Sequence, residues 1–322
     1  MKTLSFEVKK EIVGTVELTR DRSGWPPGKT LEVLGLAKSC YYRWRRELTV
    51  GRVEDRRGRA PSVNRVLPEE EQEVIRYALA HPQEGYRRLA WMMVDEDMVY
   101  LYPSSVYRIL DRHDLLYRWK RSLSVGVKPL KPEKPDQRWH TDLLYLWVMN
   151  RWYFLVTVMD AYSRYIIHWR LLLSMQAEEV VDVVEEALEK TPGANPQIVS
   201  DNGSQYTGKE FRGLLKRHTL AQIRTRRQHP ESNGLIERYH RSFRQEGMGE
   251  KTPSDYYQAC DVIGGWVDYY NNRRLHSALK YLKPVDYYRG EPDKLIEVRK
   301  EKLRRAAERR QRINQERSRM AA

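Results

Sequence analysis

The chain has 322 residues, 58 Lys and Arg against 44 Asp and Glu, and a formal net charge of +14. A hydrophobic fraction of 40 % supplies real cores and excludes wholesale disorder, while the length predicts two or three domains. No apolar run reaches the roughly 18 residues of a membrane helix, the N-terminus is too acidic for a signal peptide, and two cysteines, Cys40 and Cys260, support neither a disulfide framework nor a cysteine zinc site.

In chain order, residues 6–19 carry apolar positions at helical spacing, Phe6, Ile12, Val13 and Val16. After the break at 23–28, a short helix over 30–34, a turn at Gly35 and a helix over 39–48 are predicted, with Ser39 as N-cap. Tyr41, Trp44 and Leu48 make its buried stripe and leave Tyr42, Arg43, Arg45 and Arg46 outside. This reads as a helix-turn-helix domain over 1–58, with Ser39, Tyr42, Arg43, Arg45 and Arg46 as DNA contacts. A linker over 51–65 precedes a second such domain over 62–117. Pro68 and three glutamates start its first helix, and further helices are predicted at 84–94 and 104–113. Residues 118–137, with three Lys-Pro pairs, form an extended basic linker.

The pattern then changes period. Runs at 139–148, 152–159 and 164–173 read as a strand meander, followed by a helix at 176–190 and a strand at 197–200. A helix at about 207–218, a strand at 221–225 and a helix from about 232 to 247 complete an α/β domain over 138–250. Residues 251–322 are read as a helical C-terminal region ending in a basic helix or tail. Charge is concentrated: 38–60 and 118–138 each net +5 and 294–322 nets +7, which points to a polyanion.

Asp142 lies mid-strand, Asp201 ends the next strand after the crossover helix, and Glu237 sits in a helix 35 intervening residues further on. Carboxylates at neighbouring strand ends are hard ligands for Mg²⁺, and a pair of such ions suits in-line phosphoryl transfer. Asp160, at a turn, is read as a backbone cap, and His140 either as a group that orients or protonates near the site or as a packed strand histidine. Arg241 and Arg244, past Glu237 on the same helix, are read as DNA contacts, with an i, i+4 ion pair to Glu237 as the alternative for Arg241.

At WHTD, VMDAYSR, SDNGSQY, NGLIERYHRS and YYNNRRLHSALKYLKP the sequence resembles the catalytic core shared by retroviral integrases and integrase-like bacterial insertion-sequence transposases. Their paired aspartates and glutamate match Asp142, Asp201 and Glu237; Leu275 and Lys280 stand where Pro and Gly are commoner, which bears on a local turn. The resemblance implies an α/β RNase H-like core with a mixed five-stranded sheet. It also implies two Mg²⁺ per site held by Asp142, Asp201 and Glu237, with Mn²⁺ able to substitute. Binding of double-stranded DNA at element ends, 3′-end cleavage and strand transfer into target DNA are then expected, by a homo-oligomer on DNA in the bacterial cytoplasm with no membrane partner. The rivals are a repressor that has lost catalysis and an RNase H or resolvase; the intact carboxylates argue against the first and the upstream helical units against the second.

Overall fold

A computed structural model of the chain describes residues 6–49, 63–116, 132–148, 150–224, 234–249 and 252–320. Most of both basic linkers, at 50–62 and 117–131, lies outside the described residues. The chain divides into two compact units, Met1–Arg65 with Asn314–Ala322, and Val66–Ile313.

In the first unit α1 (Phe6–Ser23), α2 (Pro27–Val33) and α3 (Lys38–Thr49) close on Val13, Val16, Leu31, Tyr41 and Trp44. Pro27 starts α2, where its missing N–H costs nothing, and Gly35 at φ +64 ends it as Leu36 N–H donates back to Leu31 O at 2.9 Å. Helix α3 begins at Lys38, so Ser39 lies inside its first turn and is not the N-cap. The Cys40 N–H is already taken by Ala37 O at 3.0 Å, which moves the helix start ahead of the serine.

In the second unit α4 (Pro68–Ala80), α5 (Tyr86–Asp95) and α6 (Pro103–Arg112) share a core of Val74, Leu89, Met93, Val106, Ile109 and Leu110. Against this group runs part of the long α13 (Pro292–Met320). Its buried side chains Arg299, Leu303, Ala306 and Arg310 recur at helical spacing. Arg299 is bidentate to Asp95 at 2.8 and 2.6 Å and donates to Tyr281 O at 2.7 Å; Arg310 reaches Glu70 at 2.9 Å and Tyr100 O at 3.0 Å. The basic C-terminal stretch is thus a helix whose inner arginines are bound within this unit.

The sheet runs β3-β2-β1-β4-β5, from β1 (Arg138–Val148), β2 (Arg151–Asp160), β3 (Ile166–Leu172), β4 (Gln197–Ser200) and β5 (Gln222–Arg224). The first three strands are antiparallel neighbours; β1–β4 and β4–β5 are parallel, so the sheet is mixed as expected. One face buries Trp139, Val156 and Val158 under α7 (Ala177–Glu189) and α9 (Lys209–Arg217). The other buries Leu144, Leu146 and Leu155 under α10 (Gly234–Ser242) and α11 (Tyr256–Asn272).

Two expected helices are interrupted. Gly208, extended at ψ 174, separates α8 (Ser204–Thr207) from α9. The helix carrying Glu237 turns into a π-helix at Phe243–Met248, where Gly247 lies so close to Phe243 and Trp266 that a Cβ would meet them at 2.7–2.8 Å. Asp160 caps the β2–β3 turn as expected, accepting from Ser163 N at 2.7 Å and Asp136 N at 3.0 Å. Lys280 takes φ +52, the left-handed conformation that favours glycine. Short helix α12 (Pro284–Tyr288) precedes α13. Among the described residues no helix is long and apolar enough to cross a membrane.

Asn271 joins α11 to the sheet: its Oδ1 accepts from Ile166 N at 2.8 Å and its Nδ2 donates to Ile166 O at 2.9 Å, both buried. Asn271→Ala strands two buried backbone groups and should lower unfolding free energy by about 2–4 kcal/mol, measured by urea titration against an exposed control such as Asn272→Ala.

Candidate active site

Three ladder pairs place the site. Arg138, Trp139 and His140 of β1 stand level with Gln197, Ile198 and Val199 of β4 in parallel register. Carried two residues further, the same register sets Asp142 level with Asp201, on strands that neighbour at about 4.8 Å. Asp201 follows the last residue of β4, and its Oδ1 accepts from Gly203 N at 2.8 Å, so the Asp-Asn-Gly turn holds the carboxylate at the strand mouth.

Strand alternation decides which face Asp142 takes. Leu144, Leu146 and Val148 bury into the α10 and α11 side, and the period of two puts Asp142 on that side as well. There α10 presents Glu237 and His240, three residues apart and therefore on one helix face. His240 Nδ1 lies 3.7 Å from Asp142 Oδ2, a contact beyond hydrogen-bond length. From the opposite face of β1, Thr141 Oγ1 and the buried Tyr206 hydroxyl share a hydrogen bond of 3.2 Å. Gln222 of β5 donates from Nε2 to Ser200 Oγ at 2.9 Å and to Tyr206 O at 3.0 Å, buttressing the end of β4.

The electrostatics follow from this crowding. The Asp142 side chain is 16 % exposed, and burial first, then the charges of Asp201 and Glu237, push its carboxyl up to about 7 against one favourable hydrogen bond from Leu143 N. Burial and Arg244 drive His240 down to about 4, so it faces Asp142 neutral at pH 7. Among the described residues no three His, Cys, Asp or Glu side chains stand close enough together to form a ready metal cage. The structure couples Asp142 to Asp201 most strongly and sets Glu237 nearby, exposed on α10.

His240 escaped the sequence reading, which singled out the buried strand histidine His140. The available signal was its spacing of three from Glu237 on a helix. Of the expected DNA contacts, Tyr42, Arg43, Arg45 and Arg46 are all exposed on α3, with Arg45 Nε 3.1 Å from Glu17 of α1. Ser39 is exposed as well, and Arg241 and Arg244 are exposed on α10 and the π-helix.

Residues 132–230 match the family described as Integrase core domain, and residues 218–284 match a second family of the same description. The uncharacterized protein of insertion element IS136 from Agrobacterium fabrum is 31 % identical over 143 residues, which is 42 % of this chain and 73 % of that protein. The putative transposase InsK of IS150 from Escherichia coli K12 is 26 % identical over 165 residues, 51 % of this chain. The IS904 transposase of Lactococcus lactis is 26 % identical over 159 residues, 49 % of this chain. The match spans 58 % and 63 % of those two transposases' lengths. Among solved structures, the HTLV-2 integrase catalytic core in complex with magnesium aligns at 14 % identity and TM-score 0.41, over 49 % of this chain and 99 % of that one. With the core domain and the insertion-element relatives in agreement, the chain belongs to the integrase-like insertion-sequence transposases.

Proposed function

We propose that the chain binds the ends of an insertion sequence or related mobile element, cleaves DNA at 3′ ends and joins the freed 3′ hydroxyl to target DNA. Asp142, Asp201 and Glu237 are the catalytic residues and the ligands of two Mg²⁺, with Mn²⁺ as a substitute. The observation that carries this reading is the set of like charges acting on a nearly buried Asp142, whose perturbing neighbours Asp201 and Glu237 are both acidic. Hard oxygen donors with a shared charge deficit are what a divalent cation fits. When bound, the cations stabilise negative charge on the phosphate and lower the pKa of the attacking hydroxyl. Neutral His240 packs beside Asp142 on the α10 side, while the Tyr206–Thr141 hydrogen bond braces β1 from its opposite face.

Recognition falls to the α2–α3 pair as a helix-turn-helix within 1–58, using Ser39, Tyr42, Arg43, Arg45 and Arg46, and to a second such domain within 62–117. Arg241 and Arg244 contact phosphate beside the catalytic domain at 138–250. Joining two ends to one target needs at least two active sites, so the working form is a homo-oligomer on DNA. The repressor alternative finds no support among the relatives named above.

Asp142→Asn, Asp201→Asn and Glu237→Gln should each reduce cleavage of labelled element ends by roughly 10³-fold or more while sparing DNA binding, and the triple variant should be no worse than a single one. Strand transfer by Asp201→Asn at parental rate would falsify the assignment.

Asp142 also sets a pH dependence. Its folded-state pKa of about 7 lies above the ordinary 3.8, so the folded state holds a proton that the unfolded chain releases, and cation-free stability is lost as pH rises through that interval. The loss is on the order of 4 kcal/mol. Thermal unfolding in EDTA at about pH 8 should show Asp142→Asn more stable than the parent, and Mg²⁺ should stabilise the parent far more than the variant.

Replacing Arg43, Arg45 and Arg46 together by Ala should weaken end binding and flatten the log–log salt dependence, by about 0.9 for every phosphate that the variant no longer neutralises. An unchanged slope would assign α3 to protein assembly instead.

A further inference from the structure

An open cleft of about 1150 Å³ lies between the start of α5 and the α10, π-helix and α11 side of the second unit; Asp142, Asp201 and Glu237 do not line it. Five arginines face it, Arg87, Arg88, Arg164, Arg238 and Arg274, against Glu84, Glu246 and Asp261. Two of those acids are already engaged. Glu246 holds Arg274 in a bidentate pair at 2.8 and 2.6 Å, and Glu84 holds Arg88 at 2.5 Å. The cleft therefore keeps surplus positive charge around the buried Tyr270 and His276.

Arg164 is the unusual member. It stands at φ +66 in the β2–β3 turn, a left-handed conformation uncommon for a long side chain, held there as its N–H donates to Asp160 O at 2.9 Å. Its Nη1 is buried and has no hydrogen-bond partner among the described residues. Burial works against its charge and Arg238 adds repulsion, while Tyr270 and Asp160 favour it in part. A strained backbone that leaves a guanidinium nitrogen unpaired beside a cationic cleft is costly unless an anion completes it. The amino end of α5 faces the same space, with Gly85 as its N-cap and no side chain capping it, which adds partial positive charge. A planar guanidinium fork matches phosphate oxygens, and an open cleft much larger than one phosphate suits a phosphate carried on a continuing strand.

We propose that this cleft binds a backbone phosphate of a DNA strand, with the half-buried Arg164 as the inner receptor and the exposed Arg238 as the outer contact; this rests on the DNA-processing reading above. The full chain is compared with Arg164→Gly and Arg238→Ala. Glycine accepts φ +66 and removes a desolvated cation with an unpaired nitrogen, so Arg164→Gly should unfold at or above the parent's midpoint without ligand. Inorganic phosphate should raise the parent's midpoint saturably and leave that of Arg164→Gly in place. With a duplex oligonucleotide, each variant should bind several-fold more weakly, its log–log salt slope shallower by about 0.9. The exposed Arg238→Ala carries the slope measurement independently of any folding defect at position 164.

If Arg164→Gly unfolds below the parent and phosphate stabilises both equally, Arg164 is structural and the proposal is overturned. If phosphate stabilisation depends on Arg164 while both DNA slopes stay parental, the occupant is a free phosphate compound and the DNA assignment is overturned. A parent that binds no DNA removes the underlying reading as well, and is recognised because parent and variants then behave alike with the duplex.

Discussion

The parallel pairing of β1 with β4 is the constraint on which the site depends. Three residue pairs, Arg138–Gln197, Trp139–Ile198 and His140–Val199, set the register. A slip of one residue would turn every side chain of β4 to the opposite face and move Asp201 off the level of Asp142. The register is defended from both sides. Trp139 and Ile198 are fully buried among the α7 and α9 side chains, and Gln222 ties the last residue of β4 to Tyr206. The geometry of the candidate site is a by-product of core packing a few residues away.

That geometry works against stability. Asp142 is drawn into a nearly closed position by the same alternation that buries Leu144 and Leu146, and the charges that act on it, Asp201 and Glu237, are acidic. Nothing in the fold of the core asks for a carboxylate there; a hydrophobic residue would satisfy the strand pattern better. Local conflict of this kind, held in place by a well-packed surround, is the usual physical mark of a functional centre.

Buried arginine pairs lock the helical part of the second unit. Arg299 and Arg310 bring α13 against α4–α6 through Asp95, Glu70 and backbone carbonyls, and Lys302 adds Val94 O and Asp97. Such pairs add little net stability over apolar packing, but removing one partner leaves a buried charge, so they specify one docking geometry. They also divide the basic helix. Arg304 and Arg305 are exposed and share Glu301 on its outer side, whereas Arg299 and Arg310 are withdrawn from any phosphate.

Much of this was legible in the sequence. Period-two and period-3.6 patterns located the strands and the main helices, Pro68 and Gly35 marked ends, and the spacing and setting of Asp142, Asp201 and Glu237 singled out the carboxylates. What pattern reading missed were features set by packing across the fold. Ser39 is no cap because the helix start moved ahead of it, and the helix after Glu237 widened into a π-turn where Gly247 packs on Trp266. His240 has no local signal stronger than any other helical histidine, and Arg164 reads as an ordinary turn residue. Their surroundings come from strands and helices as much as a hundred residues away, and desolvation and charge coupling depend on those distant neighbours. Sequence alone therefore determined which residue types and elements were available, while tertiary packing decided which of them met, because burial and electrostatic coupling are properties of proximity in space.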